Sequence, residues 1–145
     1  MSHSVSLNVK LNSNAIRSCK EIIILLLRFG WNIEKNSKIT FLPLNDDDMF
    51  DWTSSNITFD DFIKLVEKKE NAKEIVGVEL YWQSTDIGGH LLMYNNSDFS
   101  FEFNINTKYV EEMIKIPDFN WYAEKTIPCL NQGGRMMEYK FEFTY

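Results

Sequence analysis

The fold is decided between Val76 and Asn106. The run begins Val76-Gly77-Val78-Glu79-Leu80-Tyr81-Trp82-Gln83 and crosses a loop at Ser84–Gly89. It continues through His90-Leu91-Leu92-Met93-Tyr94, turns at Asn95-Asn96-Ser97-Asp98, and ends on Phe99-Ser100-Phe101-Glu102-Phe103-Asn104-Ile105-Asn106. Val76, Val78, Leu80 and Trp82 alternate with Gly77, Glu79, Tyr81 and Gln83. Phe99, Phe101, Phe103 and Ile105 alternate with polar residues in the same way. A period of two with turn residues between the runs is the signature of half-buried strands. Three such strands in succession predict an antiparallel meander.

On the C-terminal side, Lys108–Ile116 admits a helical turn through Tyr109, Glu112 and Met113, which Pro117 stops. Asp118 is placed to cap a helix over Phe119–Leu130, which Pro128 must kink or end. Gly133-Gly134 breaks the chain, and Met137, Tyr139, Phe141 and Phe143 mark a last strand. On the N-terminal side, Thr58 and Asp61 have capping-box spacing ahead of Phe62, Leu65 and Val66. A helix of about three turns follows, with Lys68 and Lys69 late in it, where the helix dipole favours cations. Residues 45–56 read as a long surface loop. Trp31–Glu34 and Lys38–Leu42 read as short strands joined near Asn36-Ser37. Ala15–Phe29 reads as a helix capped from Asn12–Asn14, apolar nearly all round in its second half, and closed by Gly30. Val5, Leu7, Val9 and Leu11 form a first strand. The order predicts an α+β fold, one antiparallel-dominated sheet with about three helices packed against it. With no linker or repeat, 1–145 reads as a single domain.

Composition narrows the functional classes. The 15 Lys and Arg residues against 21 Asp and Glu leave a formal charge of -6, which repels phosphate backbones and disfavours direct nucleic-acid binding. The same charge suits a basic protein partner. Cys19 and Cys129 lack any CxxC spacing and read as buried reduced thiols, in keeping with a cytoplasmic protein. Met1–Leu11 has no apolar core of a signal peptide, and the longest apolar run, Ile22–Leu27, is too short to span a bilayer.

The densest charge cluster is Asp46, Asp47, Asp48 and Asp51, with Phe50 and Trp52 embedded in it. A calcium loop starting at Asp46 would need Gly and Glu where Asp51 and Ile57 stand. The plain reading is a solvated acidic loop. The sharper one is a partner-binding loop, with aromatic anchors ringed by carboxylates. His90, after Gly88-Gly89, is a candidate general base, although no Ser or Cys stands in a nucleophile-elbow context. The rows Phe99, Phe101, Phe103 and Phe141, Phe143 could stack nucleic-acid bases. They lack an interleaved basic stripe and read as sheet core. No catalytic constellation, metal site or cofactor motif is expected.

Ile75–Trp82 through Asp86-Ile87-Gly88-Gly89 to Phe103, and Asn120-Trp121-Tyr122 through Gly133-Gly134, resemble the immunity proteins of bacterial contact-dependent growth inhibition and polymorphic-toxin systems. The resemblance covers roughly residues 75–134 and implies a cytoplasmic antidote. Such a protein binds a cognate toxin domain, often a basic nuclease, and occludes its active site. It implies no catalytic residues. Two other readings stand beside it: a small hydrolase using His90, and a ligand- or nucleic-acid-binding sheet protein.

Overall fold

A computed structural model describes residues 4–12, 18–111, 113, 115–132 and 136–144. They form an α+β fold. Its strands are β1 Ser4–Leu11, β2 Trp31–Asn32, β3 Glu34–Lys35, β4 Lys38–Phe41, β5 Thr53–Ser55, β6 Val76–Trp82, β7 Gly88–Met93, β8 Asp98–Ile105, β9 Tyr109–Glu111, β10 Ile116–Pro117 and β11 Met136–Thr144. Its helices are α1 Cys19–Phe29, α2 Phe59–Asn71 and α3 Phe119–Leu130. The main sheet runs β11-β1-β8-β7-β6-β4-β3, with β2 beside β6 and β5 beside β4, and every pairing is antiparallel.

The predicted meander is β6-β7-β8, and its alternation sets the layers. Leu7, Val78, Leu80, Leu91, Phe101 and Phe103 point to one face and are fully buried. Ile22, Ile23 and Leu26 of α1, Phe62 and Val66 of α2, and Tyr122 of α3 close over them in one continuous cluster. Trp31 lies at its centre, with its indole N–H donating to the Lys125 carbonyl at 2.8 Å. Phe103 stacks on Tyr122 at 3.8 Å between ring centroids. Phe99, Phe101 and Phe103 are therefore core, the packing expected of β-prone aromatics on a half-buried pleat, and Phe141 and Phe143 pack partly buried at its margin.

Capping chemistry fixes the helix starts. Thr58 accepts from the Asp61 amide at 3.1 Å, and Asp118 accepts from the Trp121 amide at 3.1 Å, where the sequence places them. Helix α1 starts later than its periodicity suggests. Ser18 is extended, and its hydroxyl accepts from the Glu21 amide, so the helix cannot run through it. Ser13 and Asn14 of the expected cap and the expected helix start at 15–17, with Ile16, lie outside the described residues, as does Gly133-Gly134. Pro128 is accommodated in the last turn of α3.

Three expectations are corrected. Tyr109–Glu111 and Ile116–Pro117 pair as a small β-hairpin where the sequence left Lys108–Ile116 open to a helical turn, of which one bond is present, from the Lys115 amide to the Glu111 carbonyl at 3.0 Å. The Lys108 amide donates to the Tyr122 hydroxyl at 2.9 Å and its carbonyl accepts from the Asp118 amide at 2.9 Å, which fixes the hairpin base. The 45–56 loop is shorter than expected, because Thr53–Ser55 pairs with Phe41–Ile39 as β5. Gly88-Gly89 opens β7 rather than forming a turn. The register shifts between Gly88 and His90, and a Cβ at Gly89 would meet the Glu102 carbonyl oxygen at 2.0 Å. That bulge requires glycine because backbone occupies the side-chain position.

Candidate functional site

The 42–52 segment leaves β4 at one end of the sheet and returns into β5. Its backbone is unusual: Asn45, Asp47, Asp48 and Phe50 all have positive φ, between 52° and 62°. Asn and Asp tolerate the left-handed region, whereas Phe50 at φ 54° is strained. Such a conformation persists only when its surroundings fix it.

The fixing groups lie underneath. Lys69 of α2 is 1% exposed, and its ammonium donates to the Leu42 and Pro43 carbonyls at 3.1 and 2.7 Å. It stands 3.7 Å from Glu74, whose carboxylate accepts the Asn45 amide at 2.9 Å. Burial pushes the ammonium below the usual lysine range, against the pull of Glu74, Asp46 and Asp48. Asp46 is turned inward, and its two carboxylate oxygens accept the Phe50 and Asp51 amides at 2.9 and 3.0 Å.

The structure therefore divides the six residues singled out in the sequence. Asp46 is buried and committed to the loop's own backbone. Trp52 is half-buried: its ring lies over Gly77, where a Cβ would come within 2.9 Å of it, and packs on His90 at 4.3 Å. Asp47, Asp48, Phe50 and Asp51 remain exposed. Two neighbours missed in the sequence join them, Leu44 at 38% and Met49 at 76% exposure. Met49 and Phe50 border an open depression of about 410 Å³, shared with Pro43, Asn45, Asp46 and Asp51, which is roomy enough for a long side chain. The loop thus offers apolar side chains beside carboxylates at a rigid tip. Such a surface can bind, but it aligns no nucleophile with a base.

His90 sits on the sheet face away from the helices. Its Nε2 is 3.0 Å from Glu79, directly across the strand pair, and its Nδ1 is 2.8 Å from the Asn104 side-chain oxygen. Glu79 also accepts the Tyr81 hydroxyl at 2.7 Å. Burial works against a charged ring here, but the bonds to Glu79 and Asn104 outweigh it and raise the His90 pKa. The His90 hydrogen bond holds Glu79 below the usual carboxylate range. Both ring nitrogens are committed to partners that favour the charged form, whereas a general base needs a free lone pair. The cluster is a cross-strand ion pair roofed by Trp52.

The thiols are buried. Burial, with Glu70 alongside, pushes Cys19 up to about 12, and Cys129 donates to the Leu25 carbonyl at 3.2 Å. Among the described residues no three His, Cys, Asp or Glu side chains are grouped to hold a metal ion, and no helix is long and apolar enough to cross a membrane.

Sequence reasoning placed Lys69 as a late-helix cation and missed its burial under the loop. Its signal was helical spacing: it follows Phe62 by two turns and Val66 by one, on the helix's apolar stripe. The fold and this loop define an α+β protein that presents a fixed, acidic, apolar-tipped loop. Compared with known proteins, the chain matches no family model, no curated sequence and no solved structure.

Proposed function

We propose that this chain is a binding protein that docks on a basic protein surface through its 44–51 loop. We propose further that it acts as an immunity protein, covering the active site of a cognate toxin domain such as a nuclease. One observation carries the reading: Leu44, Met49 and Phe50 are exposed among Asp47, Asp48 and Asp51, on a backbone fixed from beneath. Large exposed apolar groups on a loop are unfavourable in water unless something covers them. A nuclease cleft is cationic because it holds phosphates, so carboxylates beside apolar anchors complement it. The sequence resemblance to immunity proteins points the same way, and the net charge of -6 favours encounter with such a partner.

The test pairs the chain with a basic toxin-like domain, sought first in the gene next to its own. Met49→Ser with Phe50→Ser should weaken the complex by roughly 10- to 100-fold, acting mainly on dissociation. Asp47→Asn, Asp48→Asn and Asp51→Asn together should slow association and flatten its salt dependence. A complex unchanged by both sets, or a chain that neither binds that domain nor protects cells from it, overturns the proposal.

A further inference from the structure

We propose that the chain forms a two-fold dimer by pairing the outer edge of β11 with β11 of a second copy. This goes beyond the loop reading and does not depend on it.

The two ends of the sheet differ. One end finishes in β3 and β5, of two and three residues, which are poor templates for a further strand. The other finishes in β11, nine residues long, whose inner edge pairs with β1 from Ser4↔Thr144 to Leu11↔Met136. Among the described residues no strand pairs with its outer edge.

The two faces of β11 carry different chemistry. Tyr139, Phe141 and Phe143 lie opposite Val9, Leu7 and Val5, on the helix side. Unlike those three buried residues they are only partly covered, with Tyr139 at 51% exposure. Phe141 and Phe143 rest on Phe119 at 5.4 and 6.3 Å, which leaves an aromatic row running along the open edge. On the other face Glu138, Lys140 and Glu142 are exposed; Lys140 stands 3.4 Å from Glu142 of its own strand, which also accepts from the Asn8 side chain at 3.0 Å, and both can turn to a facing strand.

Charges on an edge strand ordinarily discourage pairing. Here their order selects the second copy as occupant. In an antiparallel two-fold pair, residues facing one another share a face, so the axis passes through a residue. With the axis at Lys140, Lys140 meets itself and Glu138 meets Glu142, and both contacts repel. With the axis at Tyr139, Glu138 meets Lys140 twice over, but Tyr139 is then the single aromatic to meet another. With the axis at Phe141, Lys140 meets Glu142 of the second copy twice over. Phe141 then meets Phe141, and Tyr139 meets Phe143, which joins the two aromatic rows into one covered strip. Cross-strand opposite-charge and aromatic pairs are the contacts that stabilise sheets. The resulting sheet would run continuously through both copies and leave the two 44–51 loops at its far ends.

Sedimentation velocity over a wide concentration range tests this. The wild-type chain should approach about 34 kDa, twice its 17.1 kDa. Lys140→Glu places glutamates opposite glutamates, and Glu142→Lys places lysines opposite lysines. Each alone should weaken self-association by about tenfold or more. Mixed together, the two single variants should form a heterodimer. The introduced glutamate of one chain then faces the introduced lysine of the other, and the native Glu142 of the first faces the native Lys140 of the second. The double variant should dimerise as the wild type does. Recovery on mixing shows that the single variants are folded. A wild-type chain that stays monomeric, or single variants that dimerise unchanged, overturns the proposal, and so does a mixture that fails to pair.

Discussion

Replacing Lys69 with Met would test how the loop is held. Methionine keeps much of the unbranched stem and removes the ammonium. The change strips the Leu42 and Pro43 carbonyls of their donor and leaves Glu74 and Asp46, both largely buried, without their cation. A hydrogen bond from a charged donor contributes about 1.5–3 kcal/mol, and relief of the buried ammonium's desolvation offsets part of the two that are lost. Breaking one side of a buried charge cluster costs about 3–5 kcal/mol. The low end applies, because Glu74 keeps 20% side-chain exposure and can reach water. A loss of about 3 kcal/mol should lower Tm by roughly 6–12 °C for a chain of this size. Calorimetry and urea titration would measure it. Hydrogen exchange would show the Phe50 and Asp51 amides, which bond to Asp46, losing protection beyond the global change. The pH dependence carries a second signature. The Lys69 pKa is lower in the fold than its ordinary 10.5, so between the two values the unfolded chain binds more protons. Wild-type stability should therefore gain a rising contribution as pH climbs toward 10.5, and Lys69→Met should lack it. A stability loss under about 1 kcal/mol, or unchanged exchange at Phe50 and Asp51, would refute the argument that Lys69 fixes the loop.

Three further outcomes follow from the sheet. The raised His90 pKa contributes stability that is complete below its ordinary 6.5 and fades as pH rises past it. The lowered Glu79 pKa contributes above 4.5 and is lost on acidification. The pair should therefore add about 1 kcal/mol between those two values, and His90→Gln should flatten the urea-midpoint profile there while leaving alkaline stability nearly unchanged. Gly89→Ala should cost more than about 3 kcal/mol and sharply reduce soluble yield, since its Cβ meets the Glu102 carbonyl. Gly77→Ala, whose Cβ first meets the Leu42 and Trp52 side chains rather than backbone, should cost about 1–3 kcal/mol by thermal melts; equal effects at the two glycines would contradict the bulge.

The parts of this fold that were legible in the sequence are those governed by local chemistry. The alternation in Val76–Trp82 and Phe99–Ile105 gives both the strands and their buried face, and Thr58 and Asp118 cap their helices where local hydrogen bonding requires. What could not be read depends on contacts distant in sequence. Residues 53–55 become a strand because β4 offers them an edge, and 109–117 become a hairpin because the Tyr122 hydroxyl receives the Lys108 amide. Gly88-Gly89 has the composition of a turn, and only the Glu102 backbone across the strand makes it a bulge. The candidate loop shows the same limit. Its acidity is plain in Asp46-Asp47-Asp48, but nothing local says that Asp46 turns inward to bind amides while Met49 turns out. That division depends on a lysine distant in the chain, brought under the loop by α2.

The manner in which the loop is held bears on what it is for. A loop with no task could be satisfied by water and built from ordinary backbone conformations. This one keeps Phe50 in the left-handed region, at a cost on the order of 1–3 kcal/mol. It also commits a buried ammonium and a buried carboxylate to amides and carbonyls that solvent could have served. Both devices lower the entropy of the loop in the folded chain, so less ordering is left to be done when something binds. They also hold apolar side chains outward that collapse would otherwise draw in. A stability-only reading explains neither the strain at Phe50 nor the exposure of Met49. The contact surface proposed above would account for both, and it requires that loosening the loop at Asp46 weaken binding even though Asp46 is buried beneath the tip.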